Sequence, residues 1–274
     1  MAQRKLTQGS RTHAEEFAKE QKHISISEFF TKNRHLLGFD NPARALLMTV
    51  KEAVDNSLDA TSDMNVLPEI YVELQQLSDK RIKVIIEDNG PGIVKEQVPN
   101  IFARLLYGSK FHKLRMSRGQ QGIGISASVL YSQLTTGKSA IITSKISPRK
   151  PAHHFQLQID TKTNEPKVLK DHEIEWDKKH GTRIELELEG KYQKGKQSVD
   201  EYIKQTAIVN PHAQITYISP DKKKYEFPRV TKALPVEAKE IKPHPHGIEL
   251  GMLIQMLQGT TSNTVQSFLQ NDFC

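Results

Sequence analysis

Cysteine is nearly absent from this 274-residue sequence, where Cys274 stands alone. An intrachain disulfide is therefore excluded, and one thiol makes no metal cage. Long apolar runs are missing as well; none approaches the roughly 18 residues that span a bilayer. The opening stretch, MAQRKLTQGSRTHAEEFAKEQ, is polar throughout and lacks the apolar centre of a secretory signal. These absences lead to the expectation of an intracellular, cytoplasmic protein with no membrane partner. Internal repeats are not visible either. Acidic residues are outnumbered, with 39 Lys and Arg against 32 Asp and Glu, a net charge of +7 and a pI near 9.3. That balance favours a polyanionic partner without deciding for nucleic acid.

What is present suits a folded protein. Hydrophobic residues make up 36% and charged residues 26%, enough to bury an ordinary core. Residues 1–24 read as a polar arm. Ile24 to Leu37 carries a short helical pattern, and Asp40-Asn41-Pro42 reads as a helix start. From there Leu46, Val50, Ala53, Val54 and Leu58 share one face of a helix. Ile70, Val72 and Leu74 alternate, as do Ile82, Val84 and Ile86, which predicts a β-hairpin running into Asp88-Asn89-Gly90-Pro91-Gly92. A helix is expected over 96–107, a basic loop to Arg118, then an apolar helix after Gly119-Gln120-Gln121-Gly122-Ile123-Gly124. Strands are expected at 140–146, 154–159 and 182–188 with a charged hairpin region among them, a helix at 199–209, and a hairpin from 214–218 and 224–227. Pro228, Pro235, Pro243 and Pro245 mark 229–246 as a linker, and 247–274 has helical periodicity. Antiparallel hairpins without regular βαβ alternation predict an α+β, two-layer sandwich.

Three segments carry candidate chemistry. On the first long helix, Glu52, Asn56 and Asp59 fall within an arc of roughly 60° opposite the apolar stripe. A solvated polar face has that pattern. So does a carboxylate that accepts a proton from water beside an amide oxygen that ligates Mg²⁺. Asp88, Gly90 and Gly92 form a turn by composition, yet two glycines around a proline also let backbone approach a planar group closely. An ionised Asp88 accepts hydrogen bonds only, which suits the exocyclic amine of adenine. Gly119, Gly122 and Gly124 precede a helix whose first N–H groups are a phosphate cradle. The arrangement is not a dinucleotide fingerprint, because a basic loop rather than a strand precedes it. Thr135-Thr136-Gly137-Lys138-Ser139 fails as a P-loop, since Ser132 stands where its leading glycine belongs.

The order and spacing of these segments, with Gly181-Thr182 at a later strand start, resemble the four motifs of the GHKL (Bergerat-fold) ATPases. The resemblance narrows at Ile26–Asp40, Pro42–Leu46, Lys51–Ala60, Phe102–Lys110 and Ser117–Gly122, which look like the B subunits of archaeal DNA topoisomerase VI. It implies ATP with Mg²⁺. Glu52 would activate the attacking water and Asn56 would ligate the metal. Asp88 would bind adenine, with Gly90 in its turn and Gly92 letting the base pack close. Asp59 would lie near the adenine end or serve structure. Gly119, Gln120, Gln121, Gly122, Ile123 and Gly124 would form the lid over the phosphates, and Thr182 would support the Asp88 network. It further implies an arm at 1–24, an ATPase domain at 25–228, and the start of a helix-two-turn-helix domain at 247–274. The implied partners are a second copy of this chain in an ATP-dependent dimer, the DNA-cleaving topoisomerase VI partner chain and double-stranded DNA, in a nucleoid setting. In that family a transducer domain beyond the helical domain supplies a lysine to the γ-phosphate. This sequence reaches Cys274 before such a domain, so ATP binding is expected and unaided hydrolysis is not. Lys145–Lys150, Lys191–Lys196 and Lys222–Lys224 are candidates for DNA contact or plain solvated loops. A repair-type GHKL clamp and a non-catalytic DNA-binding or assembly module stand as alternatives.

Overall fold

The computed structural model describes residues 25–108, 118, 123–236 and 241–273. The arm at 1–24, most of the basic loop at 109–117, and Gly119, Gln120, Gln121 and Gly122 lie outside the described residues. The first helix, α1 (Ile26–Lys32), is capped by the Ser25 hydroxyl, and a 3₁₀ turn follows at Arg34–Leu37. Phe30 and Phe39, both buried, stack in series against Tyr131 at 5.8 and 5.1 Å and seat this segment on the body.

Helix α2 (Pro42–Asp63) begins where the sequence says it should. Asn41 accepts from the Arg44 N–H at 2.9 Å, and Pro42 takes the first position, where a missing N–H costs nothing. Its stripe of Leu46, Val50, Ala53, Val54 and Leu58 is buried at 1% exposure or less. Strands β1 (Glu69–Ser78) and β2 (Arg81–Glu87) form the expected hairpin, with Val72 opposite Ile86 and Leu74 opposite Val84. Helix α3 (Val98–Ala103) and helix α4 (Gly124–Thr136) precede β3 (Ala140–Lys145), β4 (Ala152–Ile159), β5 (Pro166–Ile174) and β6 (Gly181–Glu189). Helix α5 (Val199–Val209), β7 (Gln214–Ile218) and β8 (Lys224–Phe227) follow, and then α6 (Leu250–Gly259) and α7 (Val265–Asn271).

The eight strands make one mixed sheet in the order β5-β4-β3-β6-β2-β1-β7-β8. Every pairing is antiparallel except β1 with β7. Inward residues of the strands and the apolar faces of the helices share one core, so the fold is α+β with a helical layer on one sheet face. The opposite face is charged and paired. Arg183 bridges Glu87 and Glu185 at 3.0 and 2.9 Å, and Lys178 adds to Glu87 at 3.1 Å. Among the described residues, no helix is long and apolar enough to cross a membrane.

Two elements differ from expectation. The helix expected over 96–107 is cut to 98–103, because the Asn164 side chain takes both the N–H and the carbonyl of Leu105, at 2.9 and 3.0 Å. Leu106 then sits at φ +59°, which no helix continues. The charged hairpin region expected after β4 is completed by an edge strand, β5, whose bounds the sequence does not give, because its solvent exposure removes the apolar alternation by which strands are read.

Candidate functional site

Helix α2, the β2–α3 turn, the start of α4 and the start of β6 meet around one cavity of about 260 Å³. Its wall includes Glu52, Asn56, Asp59 and Asp63 from α2, Asp88 and Gly92 from the turn, Gly124 from α4 and Thr182 from β6. An apolar side is formed by Ile93, Ile101, Phe102, Tyr107, Ile125 and Ile184. The polar face of α2 is thus turned into a concavity, the usual form of a small-ligand site.

Asp88 is the most constrained of these groups. Its side chain is buried beneath the turn, at 5% exposure. Oδ1 accepts from the Gly90 N–H at 2.8 Å and the Thr182 N–H at 3.1 Å, and the Ser57 hydroxyl lies 3.0 Å from Oδ2. Burial pushes the Asp88 carboxyl above its ordinary range, opposed by those three hydrogen bonds and reinforced weakly by Glu87. With Oδ1 doubly used, Oδ2 keeps acceptor capacity for a ligand donor.

The turn that carries Asp88 is fastened from several directions. The Asn89 side chain accepts from the Glu69 N–H and donates to the Leu67 carbonyl. A ring nitrogen of His180 lies 2.8 Å from the Gly90 carbonyl, so the Nδ1–H tautomer donates there. Ser144 Oγ accepts from the Ile93 N–H at 2.7 Å and donates to the Ile93 carbonyl at 3.1 Å. Gly92 has φ +68°, and a Cβ there would lie 2.1 Å from the Lys145 carbonyl oxygen. The close approach that demands glycine at 92 is therefore to the end of β3. Gly181 is glycine for a like reason, with φ +143° and a hypothetical Cβ 2.1 Å from the Asp88 carbonyl oxygen.

At the far end of the cavity, Glu52 lies against the N-terminus of α4. A Cβ on Gly124 would sit 1.8 Å from Glu52 Oε2, so only glycine leaves room for that carboxylate. No side chain caps α4 at Ile123. A carboxylate or phosphate beside its first turn meets the positive end of the helix dipole. Glu52 and the Ala60 that abuts Gly90 are separated by about 12 Å of helix. The Glu52 end and the Asp88 end are thus distinct, on one continuous wall.

Of the sequence candidates, the cavity unites Glu52, Asn56, Asp59, Asp88, Gly92, Gly124 and Thr182. Gly90 lies behind it as a donor to Asp88, and Ile123 stands at the position before α4 with no side-chain hydrogen bond to cap the helix. Gly119, Gln120, Gln121 and Gly122 lie outside the described residues. Sequence reasoning missed Ser57, although it stands within the quoted Lys51–Ala60 segment. It also missed Ser144 and His180, which no spacing signals, since they come from β3 and from the bend before β6, both remote in sequence. Among the described residues, no cluster of three or more His, Cys, Asp or Glu is arranged as a metal cage. Mg²⁺ held by one amide oxygen together with phosphates and waters needs none.

Residues 41–191, more than half of the chain, match the family described as histidine kinase-, DNA gyrase B-, and HSP90-like ATPase. The chain is 57% identical over 261 residues to the B subunit of type 2 DNA topoisomerase 6 from Methanococcoides burtonii, covering 95% of this chain and 42% of that protein. It is 56% identical over 264 residues to the corresponding protein of Methanosarcina barkeri, covering 96% and 42%. The corresponding protein of Archaeoglobus fulgidus is 53% identical over 251 residues, covering 91% and 42%. The chain therefore spans less than half the length of these curated relatives.

Proposed function

Because the chain belongs to the histidine kinase-, DNA gyrase B-, and HSP90-like ATPase family, we propose that its cavity binds ATP with the base at Asp88 and the triphosphate along α2 toward Glu52 and the start of α4. One observation carries this reading: a single cavity gathers Glu52 and Asn56 from α2 with Asp88, Gly124 and Thr182 from three segments far along the sequence. In this assignment Asp88 Oδ2 accepts from the adenine 6-amine. Thr182 and Ser57 hold that carboxylate in place through their hydrogen bonds, and Ile93, Ile101 and Phe102 offer the base an apolar wall. The uncapped first turn of α4 directs N–H groups to phosphate oxygens.

Asn56 offers the neutral oxygen that fits Mg²⁺, which when bound offsets charge on the phosphates. Glu52 takes the proton from a water as its oxygen bonds to the γ-phosphorus. The bond from that phosphorus to the β–γ bridging oxygen breaks, leaving ADP and inorganic phosphate. The space that Gly124 leaves for the Glu52 carboxylate supports this placement. Gly119 to Gly122 would complete the phosphate lid.

On the strength of its likeness to those topoisomerase relatives, we assign the chain to the ATP-operated part of a type IIB DNA topoisomerase. In that reading nucleotide closes a dimer of two such chains, which gates passage of double-stranded DNA through a break made by the DNA-cleaving partner and relaxes supercoils. Residues 25–228 are the ATPase unit, and 247–274 begin a helical domain. The test is Glu52→Ala, with nucleotide binding measured on this chain and turnover measured in the assembled topoisomerase. Binding retained with turnover abolished is expected, and normal turnover would remove Glu52 as the base.

A further inference from the structure

The cavity wall carries the carboxylates of Glu52, Asp59, Asp63 and Asp88. A nucleoside triphosphate brings several more negative charges. Lys51, beside Glu52 in sequence, is turned to Asp55 at 2.7 Å. Arg118 is placed differently. Its backbone N–H and its Nη1 both donate to Asp59 Oδ1, each at 3.3 Å. Its Nη2 donates to Asn210 Oδ1 at 2.8 Å. Asn210 is itself buried at the C-terminus of α5, where its Nδ2 donates to the Thr206 carbonyl at 2.8 Å. A planar guanidinium reaches both oxygens at once, which an ammonium does not do in the same geometry.

We propose that Arg118 is a positioning residue for nucleotide binding. It sets a fixed positive charge against the cavity carboxylate Asp59, with Asn210 holding the guanidinium in register, so that a polyanionic ligand meets less repulsion from α2. The proposal deepens the ATP-binding reading and rests on it. Asp59 thereby acquires a role that its sequence pattern did not disclose, as the α2 carboxylate joined to the residue immediately before Gly119.

Calorimetric titration of the 274-residue chain with a non-hydrolysable ATP analogue tests this through five proteins: the unaltered chain, Arg118→Ala, Arg118→Lys, Asp59→Asn, and the double variant Asp59→Asn with Arg118→Ala. Arg118→Ala weakens binding by about tenfold, the order expected from one added charge in a partly buried site. Arg118→Lys keeps the charge but not the bridge to both oxygens, so its affinity falls between those of the unaltered chain and Arg118→Ala. The double variant returns to about the affinity of the unaltered chain, because removing both charges restores the net charge of the wall, which general loosening of the fold does not do. The Arg118→Ala defect also shrinks in 1 M salt, where screening acts within about 3 Å.

Unchanged affinity in Arg118→Ala overturns the proposal. So does a double variant as weak as Arg118→Ala itself, which makes the arginine a direct phosphate contact or a support of the fold. If Arg118→Ala fails to fold, the double variant decides: an affinity near that of the unaltered chain and below that of Asp59→Asn supports the proposal, and an affinity equal to that of Asp59→Asn overturns it, since the arginine's charge then makes no difference. An unaltered chain that binds no nucleotide defeats the ATP reading and this proposal together. An unaltered chain that binds, beside an Arg118→Ala that binds equally, defeats this proposal alone.

Discussion

Asp88→Asn separates the ligand-binding role of Asp88 from its structural one. In the fold, three donors address the carboxylate: the N–H groups of Gly90 and Thr182 at Oδ1 and the Ser57 hydroxyl near Oδ2. An asparagine amide fits this setting with its oxygen at the Oδ1 position. Its NH₂ then faces Ser57 Oγ, which turns its own proton to the Ala53 carbonyl, already 3.0 Å away. The internal bonds survive, and what disappears is the acceptor presented to the cavity. The adenine 6-amine would meet a donor in its place. Losing a hydrogen bond to a charged acceptor and leaving a buried donor unmatched costs about 2–4 kcal/mol, or roughly 30- to 1,000-fold in affinity.

Stability moves the other way. Burial raises the folded-state pKa of Asp88 above its ordinary 3.8. The native state therefore binds more protons than the unfolded state between those two values, and stability falls as pH rises through that window. Above it, a constant burial penalty remains, which the neutral amide lacks. Asp88→Asn should consequently melt no lower than the unaltered chain at neutral pH while binding the ATP analogue far more weakly, by calorimetry and thermal melts on the same samples. Full affinity in the variant would refute the adenine assignment. A variant that unfolds would refute the claim that an amide serves the two N–H donors and the Ser57 hydroxyl together.

Gly124→Ala should fold as well as the unaltered chain, since alanine favours a helix by up to about 1 kcal/mol over glycine. Its Cβ would displace the Glu52 carboxylate. Turnover in the assembled enzyme should then fall by about 10²–10⁴-fold, the usual share of a general base, in a steady-state ATPase assay. Gly92→Ala is a fold defect instead. A left-handed φ costs about 1–2 kcal/mol, and the contact with the Lys145 carbonyl adds to it, so the thermal midpoint should drop by several degrees. Asn56→Ala should lower the apparent affinity for Mg²⁺ by at least about tenfold, read by titrating metal at fixed nucleotide. Unchanged metal dependence would remove Asn56 as the ligand.

Local rules carried the sequence reading of α2 and the β1–β2 hairpin, and both formed where expected, α2 and β1 running on to Asp63 and Ser78. Asn41, Pro42 and the apolar stripe act within a few residues of one another, so nothing distant overrides them. The helix expected over 96–107 failed because Asn164, far along the chain, competes for the Leu105 backbone, a contact no window detects. The bounds of β5, within the expected charged hairpin region, were hidden for the opposite reason: an exposed edge strand has no alternation to show. The site followed the same division. Glu52, Asn56 and Asp88 were legible from residue type and order. Ser144, His180 and Arg118 were not, because each acts through a partner brought near only by the sheet or the helical layer.

The fastening of the Asp88 turn bears on the order in which the chain is made. The clasp needs Ser144 and Lys145 from β3 and His180, Gly181 and Thr182 at β6, all translated well after Asp88. A ribosome-bound chain halted near residue 150 would hold both carboxylates and still have no seat for a nucleotide. Nucleotide capture should therefore appear abruptly during synthesis, once β6 has left the exit tunnel, rather than growing in proportion to length.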